Sequence, residues 1–309
     1  MDRSIKKRKN PKNSGPVQKQ RAADYVFHAV NISVFLLFTL LCFFPFYYLF
    51  INTISNNDLV AKGSIVFVPR GVHFGNYLAL GSVNSFFYAI VVTVSRTVAG
   101  TLLMVLVSSF AGYIFTQRKM WKRKFWYRFV IIPMYFSAGL IPWYTNMLSL
   151  GLTNNYFAYI LPGLAVPFNI ILVKTYIEAI PPDIEESARI DGAGTLTLFF
   201  RVVGPLTLPI LATITIFGAV GHWNSFQDSL ILMNNPKLFT LQHRLYTYLQ
   251  QSTDLTAGMG QRPGSDIGKL NQTVIKYTIA MVSIIPIVLV YPFMQRYFIK
   301  GIMMGAVKG

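Results

Sequence analysis

The sequence predicts an all-α integral membrane protein with six transmembrane helices, both termini in the cytoplasm and a short cytoplasmic helical loop between helices four and five. Three observations support this fold class. The 309 residues are 53% hydrophobic and 13% charged, against about 25% charged in soluble domains, and the mean hydropathy is +0.46. Long apolar runs recur along the chain, and Lys and Arg are concentrated in alternate connections between them. A soluble or disordered chain is therefore excluded, and the single cysteine, Cys42, excludes a disulfide scaffold.

Each predicted span contains the roughly 20 predominantly apolar residues that a transmembrane helix needs. The six spans are residues 26–51, 85–115, 129–148, 157–180, 206–226 and 274–298. The first span is too long for a signal-peptide core and has no small-residue cleavage site after it, so we interpret it as a retained anchor. The chain thus divides into a basic cytoplasmic tail, residues 1–24, and a six-helix transmembrane domain, residues 25–309, with its core at 85–300.

The positive charges indicate the orientation. Twenty of the 28 Lys and Arg residues fall in the N-terminal tail, the second-to-third and fourth-to-fifth connections and the C-terminus, whereas seven fall on the other side. Cytoplasmic connections are enriched in Lys and Arg, so both termini are predicted to be cytoplasmic. A net charge of +17 is also typical of nucleic-acid binding, but this distribution favours topology and attraction to anionic membrane lipid. We therefore expect no nucleic-acid partner.

The fourth-to-fifth connection, residues 181–209, has strong local signals for a first short helix. Asp183 and Glu186 have the capping-box spacing for a helix that starts near Ile184. Gly192 is placed to end this helix, because a residue without a Cβ adopts the left-handed conformation at little cost.

A second short helix is predicted directly after the first. Thr195 would cap it, and it would continue through Val203, where Gly204 and Pro205 would stop it. Two short helices packed in an L would then protrude from the membrane. A plain solvated connector is the alternative from local pattern alone.

The same connection resembles the "EAA" loop of permease subunits of binding-protein-dependent ABC importers. That loop has the pattern E-A-A-x-x-x-G, preceded by I-P and followed by I-x-L-P. The matching residues are Glu186-Ser187-Ala188, Asp191-Gly192-Ala193, Phe199, Pro205 and Pro209. Ser187 replaces the first Ala of the triplet, and Gly204 stands where the family has an aliphatic residue. Ser is small enough to preserve close packing.

The resemblance continues along most of the chain. Segments similar to the carbohydrate-uptake branch, of the maltose-permease type, are Asn84-Ser85, Ala111-Gly112-Tyr113, Trp223-Asn224 with Phe226, and the C-terminal residues 301–309. Within that branch, the length, the long basic N-terminus and the segment PRGVHFGNY at 69–77 most resemble LplC-type permeases of polysaccharide and complex-oligosaccharide importers.

This resemblance implies a bacterial plasma-membrane subunit that works in a heteromeric complex. The expected partners are a paralogous permease, two ATPase subunits and an extracellular solute-binding protein, and the expected substrate is an oligosaccharide or polysaccharide. The loop would be the coupling-helix loop that docks on the ATPase. The residues implied in coupling are Glu185, Glu186, Ser187, Ala188, Asp191, Gly192, Ala193 and Pro205.

ATP hydrolysis is assigned to the partner subunits. The sequence has no G-x-x-x-x-G-K-[ST] phosphate loop, since the nearest candidate, at 264–270, is one residue short and lacks the hydroxyl. The chain is therefore predicted not to be an enzyme and to bind no cofactor or metal itself, with ATP and Mg bound by the ATPases. The four histidines have no metal-ligand spacing.

Arg96 is the charge predicted near the middle of a span. Placing Arg there costs at least about 2.5–3.5 kcal/mol, so the side chain should face a cavity or a partner helix. It could contact an acidic sugar, or bond to backbone carbonyls or the partner permease. The aromatic and amide side chains that could line a substrate pathway with it, or belong to interfacial belts, are Tyr135, Trp143, Tyr144, Trp223 and Asn224.

The longest connection, residues 224–273, is polar, rich in Gly and Asn, and has little hydrophobic periodicity. By family resemblance such an external segment docks the solute-binding protein, and a flexible spacer is the alternative. Import of a peptide or amino sugar by the same machinery is the second hypothesis for function. A passive channel or a membrane-embedded enzyme is a further alternative, although intramembrane clusters of His or acidic residues are not found.

Overall fold

The structure is a computed structural model that describes residues 22–82, 85–256 and 272–306. Within these ranges the regular structure is helical. The α-helices are α1 (Ala22–Ile54), α2 (Asn57–Ala61), α3 (Gly75–Ser82), α4 (Phe86–Thr116), α5 (Arg123–Ile131), α6 (Leu140–Ser149), α7 (Pro167–Glu178), α8 (Pro182–Ile190), α9 (Thr195–Thr197), α10 (Gly204–Leu206), α11 (Leu208–Asn224), α12 (Gln227–Leu232), α13 (Leu241–Thr256) and α14 (Gln272–Ala306). Most of the predicted basic tail, Asn84, residues 257–271 of the long connection and the last three residues lie outside the described part.

The chain separates into two units, residues 1–48 and residues 49–309. In the first unit, helix α1 is apolar and its side chains are exposed over most of its length, as for Phe35 and Leu41. An exposed apolar helix of this length is stable in lipid or against another apolar surface.

Helix α4 is the central element of the second unit, and it packs against α7 and α11. Two glycines allow these close approaches. A Cβ at Gly112 would lie 2.9 Å from Cβ of Val173 and 3.1 Å from the backbone nitrogen of Lys174 in α7. A Cβ at Gly100 would lie 2.6 Å from Nε2 of His222 in α11. In lipid, hydrophobic burial does not drive helices together, and small residues at such contacts allow the close packing that does.

The contact at Gly112 predicts a measurable loss of stability on substitution. We expect Gly112→Ala to destabilise the protein by about 1–3 kcal/mol, because Val173 and the α7 backbone must both shift. The matched control is Gly221→Ala in α11, where a Cβ meets no atom within 4 Å. That substitution should be neutral or stabilising by up to about 1 kcal/mol. Thermal unfolding of the purified protein in detergent compares the two, and equal melting temperatures would contradict the assignment.

The all-helical membrane fold is confirmed, whereas six continuous spans are not found. Among the described residues, three helices are long and apolar enough to cross a membrane: Asp24–Ile54, Phe86–Thr116 and Thr273–Pro292. Two bent pairs raise the number to five if each pair is one span. They are Tyr156–Gly163 with Pro167–Glu178, bent by 41°, and Thr195–Leu206 with Leu208–Asn224, bent by 83°.

The third predicted span, residues 129–148, is divided. Helix α5 continues into a 3₁₀ turn, Ile132–Tyr135, and α6 begins only at Leu140. The breaks coincide with Pro133, which cannot donate a helical hydrogen bond, and with Gly139, whose φ of 87° is left-handed. Hydropathy measures apolar length and does not detect such breaks.

The predicted irregular connection after residue 224 is instead largely helical in its described part, because α12 and α13 occupy much of it. His243 of α13 is buried, lies within 2.9 Å of Oγ of Ser229 in α12, and packs on the ring of Phe239. Burial and the neighbouring Arg244 lower the pKa of His243 to about 4, with Asp228 opposing the shift. The histidine is therefore neutral at pH 7, and it ties the two helices together without adding charge.

Candidate functional site

A cavity of about 580 Å³ lies beside the middle of α4. Its walls come from α4, α6, α7, α11, α12 and the 3₁₀ turns at Tyr156–Tyr159 and Leu161–Gly163. The lining is mainly apolar with a few polar groups. The polar and aromatic lining residues are Arg96, Trp143, Tyr159, Phe168, Asn169, Phe217, His222, Ser225 and Asp228.

Arg96 is buried, with 2% of the residue exposed, and pairs with Asp228 of α12. Its Nη2 lies 2.5 Å from Oδ2 of Asp228, and its Nη1 lies 3.2 Å from Oδ1, so the pair is bidentate. Nη1 also donates to the carbonyl oxygen of Ser225 at 3.4 Å. The guanidinium stacks 4.4 Å from the ring centre of Tyr159. The pair thus joins α4 to α12 and leaves the cavity without net charge from these two groups.

Asp228 is itself held in place. Its Oδ1 accepts hydrogen bonds from Oγ of Ser225 at 3.1 Å and from the backbone nitrogen of Ser229 at 2.8 Å. Asp228 lies 132 residues from Arg96 and was not identified from the sequence. The signal that could have found it is chemical, since a buried guanidinium needs a carboxylate and Asp228 lies four residues after Asn224. The structure therefore gives Arg96 an acidic partner within its own chain.

The structure places the six predicted pathway residues in different surroundings. Arg96 and Trp143 line the cavity, whereas Tyr135, Tyr144, Trp223 and Asn224 are not among its lining residues. Tyr135 is 75% exposed on the 3₁₀ turn after α5. Trp223 donates from Nε1 to the carbonyl oxygen of Ser283 in α14 at 2.9 Å. Trp223 therefore stabilises the contact between α11 and α14.

The cavity has the groups that bind an uncharged polyhydroxylated molecule. Aromatic side chains at Trp143, Phe168 and Phe217 suit the apolar face of a sugar ring. Asn169 and His222 provide polar edges. Within the described residues, no three His, Cys, Asp or Glu side chains are grouped so that they could hold a metal ion.

The coupling-helix loop contains the first predicted helix as α8, but its start differs from the prediction. The helix begins at Pro182, with Pro181 in the cap position and no side-chain cap hydrogen bond. The predicted capping box at Asp183 and Glu186 is therefore wrong. Proline at the first helical position already has a helical φ, so the helix starts before Asp183, which lies inside the first turn.

The end of α8 agrees with the prediction for Gly192, whose φ is +83°. The backbone nitrogen of Gly192 donates to the carbonyl of Arg189, and that of Ala193 donates to the carbonyl of Ala188, both at 3.0 Å. This pair of bonds is a Schellman motif, which requires a left-handed residue at the glycine position.

The second predicted helix differs from its prediction at both ends. Gly194 occupies the cap position, with Thr195 as the first helical residue. Gly204 and Pro205 do not stop the helix, because a π-helical turn at Leu198–Val203 leads directly into Gly204–Leu206. In this wider turn the nitrogen of Gly204 bonds to the carbonyl of Phe199, five residues back, so the helix continues past a proline. The sharp bend comes only before α11.

The predicted coupling residues face in two directions. Glu185 Oε1 accepts hydrogen bonds from Nη2 of Arg189 at 2.7 Å and from Nε2 of Gln117, at the end of α4, at 3.0 Å. Ala188 and Ala193 pack against the buried cluster around Tyr113 and Phe199. The exposed members of the set are Glu186, Ser187, Asp191, Gly192 and Pro205.

Glu185 therefore holds α8 against α4, and Gln117 was not identified from the sequence. The family pattern does not include position 117, and only the fold brings the amide to the carboxylate.

Comparison with known proteins identifies the family of the chain. Residues 104–304 match the family described as binding-protein-dependent transport system inner membrane component. The chain belongs to this family. This inner-membrane component is 34% identical over 274 residues to the polygalacturonan/rhamnogalacturonan transport system permease protein YtcP of Bacillus subtilis (strain 168), covering 89% of this chain and 95% of that one. It is also 34% identical over 268 residues to Protein LplC of the same organism, covering 86% and 89%.

A solved structure is similar as well. One chain of a bacterial ABC transporter involved in the import of the acidic polysaccharide alginate superposes with a TM-score of 0.78 at 29% identity, covering 91% of this chain and 99% of that one. The predicted importer-permease identity, including the likeness to LplC-type permeases, is confirmed. The protein is a multi-pass inner-membrane transport component and not an enzyme.

Proposed function

We propose that this chain is one of two paralogous permease subunits of an ATP-driven importer for an oligosaccharide or polysaccharide. Two ATPase subunits bind and hydrolyse ATP with Mg, and an extracellular solute-binding protein delivers the saccharide. Both termini and the coupling-helix loop are cytoplasmic. The chain crosses the membrane six times: three helices and two bent pairs give five passes, and the divided segment at 129–148 gives the sixth. The observation that carries the proposal is family membership combined with a sugar-compatible cavity beside α4.

The exposed surface of the coupling-helix loop supports docking on the ATPase. Glu186 and Asp191 offer carboxylates to a basic partner, and between them Ile190 is 82% exposed. An apolar side chain with charged neighbours matches the apolar centre and polar rim of a protein interface. Glu185 would act from behind this surface, by holding the loop against α4.

The saccharide assignment draws on the relatives and on the cavity. Two of the similar proteins are named for transport or import of acidic polysaccharides, polygalacturonan and alginate. A third, from Halalkalibacterium halodurans, is named for arabinooligosaccharides. The paired Arg96 and Asp228 add no net charge to the wall, so the cavity itself suits neutral sugar rings.

Uptake by a strain that lacks this chain tests the proposal. We expect ATP-dependent uptake of labelled oligogalacturonides or arabinooligosaccharides to be lost and to return on re-expression, with uptake of an unrelated monosaccharide unchanged. Uptake that continues in the deletion strain would contradict the proposal, as would re-expressed protein that conducts the sugar without ATP. Loss of peptide or amino-sugar uptake instead would support the second hypothesis.

A further inference from the structure

The connection between α4 and α5 carries a positive charge that the transport function does not explain. Six basic residues fall within eleven positions: Arg118, Lys119, Lys122, Arg123, Lys124 and Arg128. The salt bridges of the described residues pair Arg96, Lys174 and Arg189 with acids, and none of them involves this group. We refer to these six residues as the basic cluster. Like charges this close repel one another, so an anion that binds among them lowers the energy.

The basic cluster encloses a shallow cavity. Its volume is about 570 Å³, which is large enough for a phosphate with attached glycerol. Every lining residue but one is cationic, the residues being Arg118, Lys122, Arg123, Lys124, Phe125 and Arg128. Arg123 is fixed by a hydrogen bond from its Nη1 to the carbonyl of Thr116 at 2.9 Å. The cavity also lies at the start of α5, where free backbone N–H groups and the helix dipole favour an anion.

Exposed aromatic side chains border the basic cluster. Trp121 is 69% exposed, Phe125 is 58% exposed and Phe129 is 60% exposed. The Lys122 ammonium lies 4.7 Å from the ring centre of Trp121, so positive charge and aromatic surface are adjacent. Helix α4, which is long enough to span a bilayer, ends at Thr116, so the cluster lies at the membrane surface. Aromatic and basic side chains together match the headgroup region of a bilayer.

We propose that the cavity of the basic cluster is a binding site for the headgroup of an anionic phospholipid. The phosphate lies among Lys122, Lys124 and Arg128, and the acyl chains lie along the aromatic border. The charge selects an anionic headgroup over a zwitterionic one, and the aromatic border selects a lipid over free phosphate. The site shares no lining residue with the cavity beside α4.

Native mass spectrometry of the full-length protein in detergent, titrated with phosphatidylglycerol or phosphatidylcholine, tests this site. The test variant is Lys122→Gln/Lys124→Gln/Arg128→Gln, which leaves the Arg123 hydrogen bond intact. The matched control, Lys62→Gln/Arg70→Gln/Lys237→Gln, removes the same charge elsewhere. Each basic residue near a membrane surface contributes about fivefold in affinity, so the test variant should bind phosphatidylglycerol at least about tenfold more weakly. The control variant and all binding of phosphatidylcholine should be unchanged.

A charge-preserving variant, Lys122→Arg/Lys124→Arg/Arg128→Lys, should retain phosphatidylglycerol binding, and melting temperatures without lipid verify that each variant folds. Equal losses in the test and control variants would overturn the proposal, because bulk charge would then explain binding. Unchanged binding in the test variant would overturn it as well. Displacement of the lipid by inorganic phosphate at equal concentration would show a site for free phosphate. Loss of a co-purifying protein subunit with unchanged lipid binding would show a protein interface instead.

Discussion

Gly192→Val is expected to abolish transport while the protein still inserts into the membrane. The φ of +83° at Gly192 is unfavourable for any residue with a Cβ, by about 1–2 kcal/mol, and more for a β-branched one. The Schellman end of α8 would open, and the exposed surface of the coupling-helix loop would lose its shape. Sugar uptake measured at equal membrane abundance shows the effect.

Gly194→Val is the matched control for this substitution. Its φ of −72° suits any residue, and a Cβ at either position meets no atom within 4 Å. The control should therefore transport normally, and equal uptake by both variants would contradict the role given to Gly192.

Glu186→Lys should also abolish uptake, since it reverses the charge of an exposed carboxylate in the loop. Asp183→Lys, in the first turn of the same helix, should be much milder.

Breaking the Arg96–Asp228 pair from either side is expected to be strongly destabilising. Arg96→Met leaves a mostly buried carboxylate, and Asp228→Leu leaves a buried guanidinium, so each should cost about 3–5 kcal/mol. The double variant removes both charges and should recover most of that loss. Thermal unfolding of the two single variants and the double variant gives the coupling energy directly. Additive losses would show that the pair is not the source of stability.

Uptake by Arg96→Gln separates the structural role of Arg96 from a role in substrate contact. Because Asp228 already occupies both Nη atoms, we expect uptake of neutral and of uronic oligosaccharides by the variant to fall to the same extent. Selective loss of the uronic sugars would instead show that Arg96 contacts an acidic substrate.

Features that depend on composition and local pattern could be predicted from the sequence. The span at 85–115 agrees with α4 within one residue at each end, and the left-handed glycine that ends α8 is at Gly192. The family resemblance rests on the motif in the coupling-helix loop and is confirmed. These features depend on neighbouring residues, which is the information that a single sequence contains.

Features that depend on distant residues or on backbone detail could not be predicted. The π-helical turn at Leu198–Val203 replaces the expected stop at Gly204, and no residue pattern marks it. Asp228 pairs with Arg96, and Gln117 with Glu185, only because the fold brings distant segments together. The breaks at Pro133 and Gly139 divide the predicted span at 129–148, and apolar length does not reveal them.

The close packing at Gly112 fixes α4 against α7 next to the loop at residues 181–209. Only Ala179, Ile180 and Pro181 separate α7, which contacts Gly112, from α8. Arg96 lies 16 residues before Gly112 in α4, which is about 24 Å at 1.5 Å per residue. A tilt of about 5° about the Gly112 contact would move Arg96 by about 2 Å, enough to break a bidentate hydrogen bond. If α4 tilted about this contact, a small rotation beside α8 would therefore produce a larger separation of α4 from α12 at the cavity beside α4.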